Sequence, residues 1–297
     1  MRLITHTDLD GIMCAVLLTE VEEVLEIKFV DPGTMQSGKL TVGEFDIISD
    51  LPYDKRCGMW FDHHESSKPK EGQKFEGSWM LAPSAARVVY EYYENPYLEK
   101  YASALAEVDK IDSGQVPLEQ VKNPGGWFLI SNTLETSAPK REDDNYRRHV
   151  IDLIGKTPDP STILADEQVK ERVEKITEEF ATFEKILREC TVMFGRVAYS
   201  DLRSRPDLPR GNNYLVYSLF PQAISSVRLM PIDEEAGTVK VSVGHNIYGE
   251  KCGYDVGAAM KRIGGGGHRS VGGASVKKED AEAIAARLAK EINEWKA

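Results

Sequence analysis

The chain has 297 residues, which exceeds one typical domain and predicts two domains, each long enough to bury a core of its own. Its hydrophobic fraction of 41% and charged fraction of 29% are typical of a globular protein and exclude general disorder. The net charge of −11 at pH 7 argues against stable binding of duplex DNA, which needs many cationic side chains. It does not exclude a small phosphorylated substrate.

Membrane and disulfide patterns are both missing from the sequence. No run approaches the roughly 18 apolar residues that span a bilayer, and the residues after Arg2 lack the pattern of a signal peptide. We therefore expect a cytoplasmic protein without a membrane partner. The four cysteines are scattered and include no C-x-x-C pair, so the sequence predicts reduced thiols.

Strand and helix patterns alternate through the first two thirds of the chain. Strands are predicted over 2–5, 26–30, 45–49 and 59–61, and helices over 11–24, 83–93, 96–109, 143–155 and 161–188. This alternation predicts an α/β fold, with a mostly parallel sheet flanked by helices.

The pattern becomes rich in strands after Cys190. Strands are predicted over 191–194, 195–199, 214–217, 223–230 and 238–243, and helices over 256–262 and 278–295. We therefore predict a larger domain over 1–188, a linker over 189–200 and a smaller α/β carboxyl-terminal domain over 201–297. The active site is expected in the cleft between the two domains.

Acidic and histidine side chains follow the predicted strands of the first domain. His6, Asp8 and Asp10 follow the first strand, Asp50 follows the third, and Asp62-His63-His64 follow the fourth. Because ligands bind at the carboxyl ends of strands in open α/β sheets, we expect these side chains to meet. Such a cluster needs a cation to offset its desolvation, and mixed oxygen and imidazole ligands suit manganese, cobalt, iron or zinc better than calcium.

The order of these motifs resembles the DHH phosphoesterase superfamily: H-x-D-x-D-G, an Asp after a strand, Asp-His-His, and an Asp at a helix end. The resemblance implies two Mn²⁺ ions that activate a bridging water, with Co²⁺ or Mg²⁺ as substitutes. By motif position the implied metal ligands are His6, Asp8, Asp10, Asp50, Asp62, His63 and Asp109. Asp112 is the alternative at the fourth motif, and only some branches of the family carry a histidine at the position of His6.

The same resemblance implies two catalytic residues. Asp62 would bridge the metals, and His64 would orient the phosphate or donate a proton to the leaving oxygen.

A glycine-rich segment near the carboxyl end resembles the GGGH signature of the DHH-associated domain. Bare glycine backbone lets N–H groups approach a phosphate closely. The predicted substrate-binding residues are Gly264, Gly265, Gly266, Gly267, His268 and, from a predicted strand, Arg228.

We therefore predict a manganese-dependent phosphoesterase. Its substrate would be a phosphodiester or phosphomonoester of a small nucleotide or short oligonucleotide, so the protein would also bind nucleic acid in short form. The alternatives are an exopolyphosphatase-like phosphoanhydride hydrolase, with polyphosphate as substrate, and a non-catalytic nucleotide- or phosphate-binding protein. If the protein assembles, we expect a homodimer.

Overall fold

The computed structural model describes residues 1–136, 138–209, 211–233 and 236–295. The chain divides into two compact units, Met1–Lys175 and Ile176–Ala297. In the described ranges, no helix has both the length and the apolar character needed to cross a membrane.

The first unit has the predicted α/β composition. Its strands are β1 (Arg2–Thr5), β2 (Glu26–Phe29), β3 (Asp46–Ser49), β4 (Met59–Asp62) and β5 (Gly77–Trp79). Its helices are α1 (Leu9–Val21), α2 (Pro32–Gln36), α3 (Ala85–Tyr93), α4 (Ala102–Asp112), α5 (Leu118–Lys122), α6 (Gly126–Thr133), α7 (Lys140–Lys156) and α8 (Pro160–Leu164), while α9 (Glu167–Cys190) runs on into the second unit. Short 3₁₀ segments cover Glu65–Ser67 and Pro96–Tyr101.

The five strands of the first unit form one sheet in the order β2-β1-β3-β4-β5, and every neighbouring pair is parallel. Alternate side chains face opposite sides of a sheet. Leu3, Ile47 and Phe61 belong to the large core that includes α1, α3 and α4, whereas Ile4, Ile48 and Trp60 belong to a second core with Met35 and Leu40. The predicted parallel sheet with helical cover is confirmed, and it aligns the carboxyl ends of β1, β3 and β4 at one edge.

The second unit is built on a mixed sheet. Its strands are β6 (Thr191–Phe194), β7 (Val197–Asp201), β8 (Ser225–Asp233), β9 (Thr238–His245), β10 (Gly266–Gly267) and β11 (Val271–Lys277), in the order β10-β11-β9-β8-β7-β6. Its helices are α10 (Leu215–Leu219), α11 (Val256–Lys261) and α12 (Ala281–Glu294). The pair β7 and β8 is parallel and the other pairs are antiparallel. The smaller α/β domain is thereby confirmed.

One predicted strand is wrong. Residues 214–217 were expected to be extended, but they enter the short helix α10. The Asn212 carbonyl accepts the backbone N–H of Leu215 at 3.1 Å, and the Asn212 side chain accepts that of Tyr214 at 2.8 Å. These two bonds turn the chain into a helix because they satisfy N–H groups that a helix start leaves free.

The expected linker over 189–200 consists of the end of α9, all of β6 and most of β7. Those residues are regular structure of the second unit, whose bounds begin within α9 at Ile176.

Candidate metal centre

The turn between β1 and α1 carries the first cluster of ligands. Asp8 is the N-cap of α1, and its Oδ1 accepts the backbone N–H of Gly11 at 3.0 Å. A Cβ atom at Gly11 would lie 2.4 Å from the carbonyl oxygen of His6. Glycine is therefore required here by close approach of the helix to the end of the strand, which holds His6 beside the first turn of the helix.

Asp10 is held between two helix amino termini. It lies in the first turn of α1, and its carboxylate accepts the backbone N–H groups of Ala85 at 2.6 Å and Ala86 at 2.8 Å, at the start of α3. Helix amino termini stabilise negative charge, so these bonds fix a carboxylate that is only 1% exposed.

Asp62 ends β4 and has its two oxygens in different environments. Oδ1 accepts the backbone N–H of His63 at 2.8 Å and that of His64 at 3.3 Å, and it lies 2.8 Å from Nδ1 of His64. Oδ2 is buried and has no hydrogen-bond partner among the described residues. The first oxygen therefore orients the carboxylate, and the second is available to a cation.

His63 is oriented in a way that suits a metal ligand. Its Nδ1 lies 2.9 Å from the carbonyl oxygen of Ala82, which can only accept a hydrogen bond, so Nδ1 carries the proton and Nε2 presents a lone pair. Nε2 lies 3.3 Å from Asp112 Oδ2, 3.7 Å from Asp10 Oδ2 and 3.8 Å from Asp50 Oδ1. Within the described chain it is buried and has no hydrogen-bond partner.

The imidazole of His63 is kept neutral by its surroundings. Burial, and next the charge of His64, lowers the pKa of His63. For His64 burial also acts to lower the pKa, but the hydrogen bond to Asp62 and the charges of the nearby carboxylates together outweigh it and raise this pKa. The pKa values of the two histidines are therefore shifted in opposite directions, which suits one to metal binding and the other to proton transfer.

Asp50 follows β3 in a left-handed backbone conformation, with φ at +56°. Such a conformation is costly for a residue other than glycine and clusters at functional sites. Its Oδ2 lies 3.3 Å from Nδ1 of His6, without the alignment of a hydrogen bond, and Asp8 Oδ2 lies 2.8 Å from the same nitrogen. His6 thus lies between two carboxylates of the cluster.

The crowded carboxylates change one another's pKa. Burial, and next the charge of Asp8, raises the pKa of Asp10 to about 7. Burial together with the charges of Asp10 and Asp8 raises the pKa of Asp50 and of Asp112 well above the usual range. Burial acts to lower the pKa of His6, but Asp8 and Asp50 raise it to about 12. Protons here offset a negative charge that a divalent cation would offset more fully.

The ligand atoms form three overlapping groups, and within each the atoms lie within 4.8 Å of one another. The groups are His6, Asp8 and Asp50; Asp10, His63 and Asp112; and Asp50, Asp62, His63 and His64. Asp50 and His63 each belong to two groups. The unpartnered Oδ2 of Asp62 and Nε2 of His63 fit a bound metal, because buried polar atoms without a partner are rare.

For the fourth motif, the structure favours a different residue from the one that the sequence favoured. Asp109 lies outside these groups. Its Oδ2 accepts hydrogen bonds from Nη2 of Arg87 at 2.5 Å and from Nε of Arg87 at 3.0 Å. Its Oδ1 accepts a hydrogen bond from Oγ of Ser84 at 2.6 Å. Asp112, one helical turn later on α4, points its carboxylate at His63. We therefore propose Asp112 as the ligand in place of Asp109.

Two features of the site carry no sequence signal. The Ala82 carbonyl that orients His63 and the Ala85 and Ala86 N–H groups that hold Asp10 are backbone atoms, which any residue supplies. Asp112 is an alternative that the motif allows, and the structure separates it from Asp109 because Asp109 is paired with Arg87.

The glycine-rich segment lies in the second unit and has structural requirements of its own. Gly264 has φ at +80° and Gly267 has φ at +147°. A Cβ atom at Gly265 would lie 2.3 Å from the carbonyl oxygen of Gly273, and one at Gly267 would lie 2.3 Å from that of Val271. Gly266 has neither constraint, because nothing lies within 4 Å of its Cβ position and its φ is not positive.

The remaining predicted substrate-binding residues are also in the second unit. His268 is exposed and follows the edge strand β10, and its backbone N–H donates to the carbonyl of Val271 at 2.7 Å. Arg228 lies in β8 and is 5% exposed. The structure thus brings the predicted metal ligands other than Asp109 together in the first unit, and it places the glycine segment and Arg228 in the second.

Comparisons with known proteins bear on what such a site does. No family model and no curated protein matches the sequence. Among solved structures, the chain is similar to a pGpG-specific phosphodiesterase, PggH, from Vibrio cholerae, with 30% identity, a TM-score of 0.75 and 98% of each chain covered.

More distant structures share the fold. RecJ from Thermus thermophilus in complex with Mn²⁺ has a TM-score of 0.58 at 13% identity, covering 99% of this chain and 52% of RecJ. An exopolyphosphatase-related protein from Bacteroides fragilis has a TM-score of 0.54 at 12% identity, covering 98% of this chain and 92% of that one. The chain belongs to the DHH phosphoesterase superfamily, whose members are metal-dependent phosphohydrolases.

Proposed function

We propose that this chain is a manganese-dependent phosphodiesterase that hydrolyses short linear dinucleotides, with pGpG as the first substrate to test. One observation carries the proposal: the buried, unpartnered Asp62 Oδ2 and His63 Nε2 lie in a cluster of carboxylates. The 30% identity to a pGpG-specific phosphodiesterase over 98% of the chain supports the choice of substrate.

In this proposal the three overlapping groups hold two cations. The ligands are His6, Asp8, Asp10, Asp50, Asp62, His63 and Asp112, and Asp50 and His63 are shared between groups. The bound ions would supply a hydroxide nucleophile near neutral pH and stabilise the phosphoryl oxygens. The solved RecJ complexes with Mn²⁺ and with Mg²⁺ support a divalent ion in this fold, and manganese is our first choice.

Asp62 and His64 have different roles in this proposal. The contacts of Oδ1 fix the side chain of Asp62 in one orientation, so Oδ2 would be positioned in advance to bind a metal. Asp62 and its neighbouring carboxylates raise the pKa of His64, which favours the protonated form, and 30% of this side chain is exposed. We assign His64 the role of orienting the phosphate and donating a proton to the leaving ribose oxygen.

A substrate panel in manganese buffer tests the proposal. EDTA-treated full-length protein is supplied with Mn²⁺ and then with pGpG, pApA, a five-residue RNA, phosphoadenosine phosphate, a cyclic dinucleotide or polyphosphate, and products are separated by chromatography. We expect pGpG to be cut to GMP faster than the other compounds. Preferred release of phosphate from polyphosphate would support the exopolyphosphatase alternative, and inactivity on all of them would support a non-catalytic binding protein.

A matched pair of variants links the activity to the cluster. Asp62→Asn removes the charge of the proposed metal ligand with almost no change in shape. Asp54→Asn removes a carboxylate of the same unit whose partner is Arg56, outside the cluster. We expect activity to be lost in the first variant and retained in the second, with both folded by circular dichroism.

A further inference from the structure

Arg147 is a buried arginine of α7 that contacts the turn between β1 and α1. Its Nε donates a hydrogen bond to the carbonyl oxygen of Thr7 at 3.0 Å, and the residue is 3% exposed. Thr7 lies in the chain between His6 and Asp8, which are two of the proposed metal ligands. Because hydrogen bonds from a charged donor are stronger than neutral ones, this contact fixes the orientation of the Thr7 carbonyl.

The Thr7 carbonyl takes no part in the hydrogen bonds of α1. The helix begins at Leu9, and its first accepting carbonyl is that of the N-cap Asp8, which accepts the backbone N–H of Ile12 at 3.0 Å. Thr7 precedes the N-cap, so the helix does not set the direction of its carbonyl group. The guanidinium of Arg147 supplies that constraint instead.

The guanidinium of Arg147 is itself held in place. Nη1 donates to Asp144 Oδ1 at 2.8 Å, and the guanidinium carbon lies 5.8 Å from the ring centre of Phe29, the last residue of β2. Asp144 also accepts from Lys140 Nζ at 2.7 Å, and the same Nζ donates to the Phe29 carbonyl oxygen at 3.1 Å. These side chains of α7 therefore connect the carboxyl end of β2 to the turn that follows β1.

The charge of Arg147 does not favour a cation in this turn. A guanidinium has no lone pair to give to a metal and stays protonated at physiological pH, so Arg147 is not a ligand. Asp144 is shared between Arg147 and Lys140, and the three side chains together have a net charge of +1, two basic minus one acidic. A positive charge near a cation site weakens binding. Any contribution of Arg147 to metal affinity must therefore come through geometry.

The neighbouring Arg148 makes similar contacts at a different place. It is exposed, its Nη2 donates to the carbonyl oxygen of Ile27 at 2.9 Å, and its guanidinium carbon lies 5.4 Å from the ring centre of Phe29. Ile27 lies within β2, which contains none of the proposed metal ligands. Of these two adjacent arginines, only Arg147 contacts the turn that carries ligands.

We propose that Arg147 is a positioning residue of the metal centre, which acts by holding the Thr7 carbonyl. That carbonyl belongs to the peptide bond between Thr7 and Asp8, so its rotation would move the Asp8 side chain relative to His6. Oδ2 of Asp8 and Nδ1 of His6 lie 2.8 Å apart. Contacts behind the ligands orient them and thereby tune metal affinity. This inference rests on the proposed function, because it needs a divalent cation in the cluster.

Calorimetric titration with Mn²⁺ tests this role. Full-length protein is stripped of metal with EDTA, dialysed and titrated in the absence of substrate. We expect Arg147→Met to weaken Mn²⁺ binding roughly tenfold or more, whereas the loss of a positive charge alone would tighten it. The substitution leaves no carboxylate unpaired, because Asp144 keeps Lys140 as its partner. Unchanged or tighter Mn²⁺ binding in folded Arg147→Met would overturn the proposal.

Two more variants separate positioning from charge and from packing. Arg147→Lys keeps the charge but replaces the forked guanidinium with a single nitrogen, so we expect weaker Mn²⁺ binding here as well. If Arg147→Met does not fold, wild-type Mn²⁺ affinity in Arg147→Lys would overturn the proposal. Arg148→Met is the matched control and should retain the wild-type Mn²⁺ affinity. An equal loss of affinity in Arg148→Met would assign the effect to the packing of α7 and would also overturn the proposal.

The outcome is separable from that of the catalytic proposal, because the titration uses no substrate. Mn²⁺ binding that depends on Arg147, in a protein inactive on every substrate, would keep this inference and reject the phosphodiesterase. Hydrolysis of pGpG with Mn²⁺ affinity unaffected by Arg147→Met would do the reverse. A wild-type protein that binds no Mn²⁺ would reject both.

Discussion

The Nε2 atom of His63 lies 3.3 Å from Oδ2 of Asp112. One turn earlier on α4, Asp109 pairs instead with Arg87, and so two acidic side chains of one helix have different surroundings. Asp112 faces a cluster of carboxylates and the unpartnered Nε2 of His63, where a cation is needed. Asp109 is already neutralised by the guanidinium of Arg87. This difference is the reason for choosing Asp112 as the ligand from the fourth motif of the proposed metal centre.

Asp112→Asn and Asp109→Asn should therefore separate metal binding from stability. Loss of a ligand at Asp112 should weaken Mn²⁺ binding and pGpG hydrolysis by roughly 100-fold, since even outer-shell partners of a metal contribute 10- to 100-fold. Asp109→Asn leaves Arg87 without its partner and should lower the melting temperature more than it lowers Mn²⁺ affinity. Calorimetric Mn²⁺ titration and thermal unfolding measure the two effects.

The assignment of Asp112 would be rejected by the opposite pattern, in which Asp109→Asn loses Mn²⁺ binding and Asp112→Asn keeps it.

Asp50→Asn should stabilise the metal-free protein while removing its response to metal. Asn tolerates the left-handed backbone at this position, and the substitution removes one of several buried, mutually repelling carboxylates. Thermal unfolding in EDTA should give a higher melting temperature than wild type. Millimolar Mn²⁺ should raise the wild-type value but not that of the variant, because only a protein that binds the ion is stabilised by it. Equal Mn²⁺-induced shifts would contradict the role of Asp50 as a shared ligand.

Gly265→Ala and Gly266→Ala should have different effects although the residues are adjacent. The first places a Cβ atom 2.3 Å from the carbonyl oxygen of Gly273 and should cost about 1–3 kcal/mol in the free energy of unfolding. The second meets nothing within 4 Å and should leave stability unchanged. An increased KM for pGpG in folded Gly266→Ala would assign this glycine to substrate approach. Wild-type kinetics in that variant would remove it from the binding site.

His245 should make the protein less stable in mild acid. It is 8% exposed, and burial lowers its pKa, opposed by the hydrogen bond between Nε2 and the Tyr254 carbonyl oxygen. Because the folded pKa is below the unfolded value of about 6.5, the unfolded state takes up the proton first as the pH falls. The stabilisation is thus present above about pH 6.5 and is lost as the pH falls from there towards the folded pKa.

Melting temperatures in EDTA at about pH 7.5 and about pH 5 should show this loss, and His245→Gln should reduce the difference between them. A variant with the full wild-type pH dependence would exclude His245 as its source.

The sequence was sufficient for three central strands of the first sheet, because each is a short apolar run followed by acidic or histidine residues. The predicted strands over 2–5, 45–49 and 59–61 correspond to β1, β3 and β4. Strand β5 begins at Gly77 and spans only three residues, so no periodic pattern identifies it. Strand β11 is likewise hidden, since two of its first three residues are glycines.

The helices were less predictable at their ends. The predicted helix over 96–109 is a 3₁₀ segment followed by α4, which continues to Asp112. Those three extra residues carry the side chain that enters the cluster. The ligands that follow strands were found because strand ends converge in a parallel sheet, whereas a ligand at a helix end depends on where the helix stops, which hydrophobic periodicity does not define closely.

Hydrolysis of pGpG by EDTA-treated protein, measured as the Mn²⁺ concentration is raised, tests the central claim most directly. The account predicts no GMP production without added metal, activity that rises and saturates with Mn²⁺, and no recovery at any Mn²⁺ concentration in Asp62→Asn. Full activity in the absence of metal, or wild-type activity in folded Asp62→Asn, would contradict it.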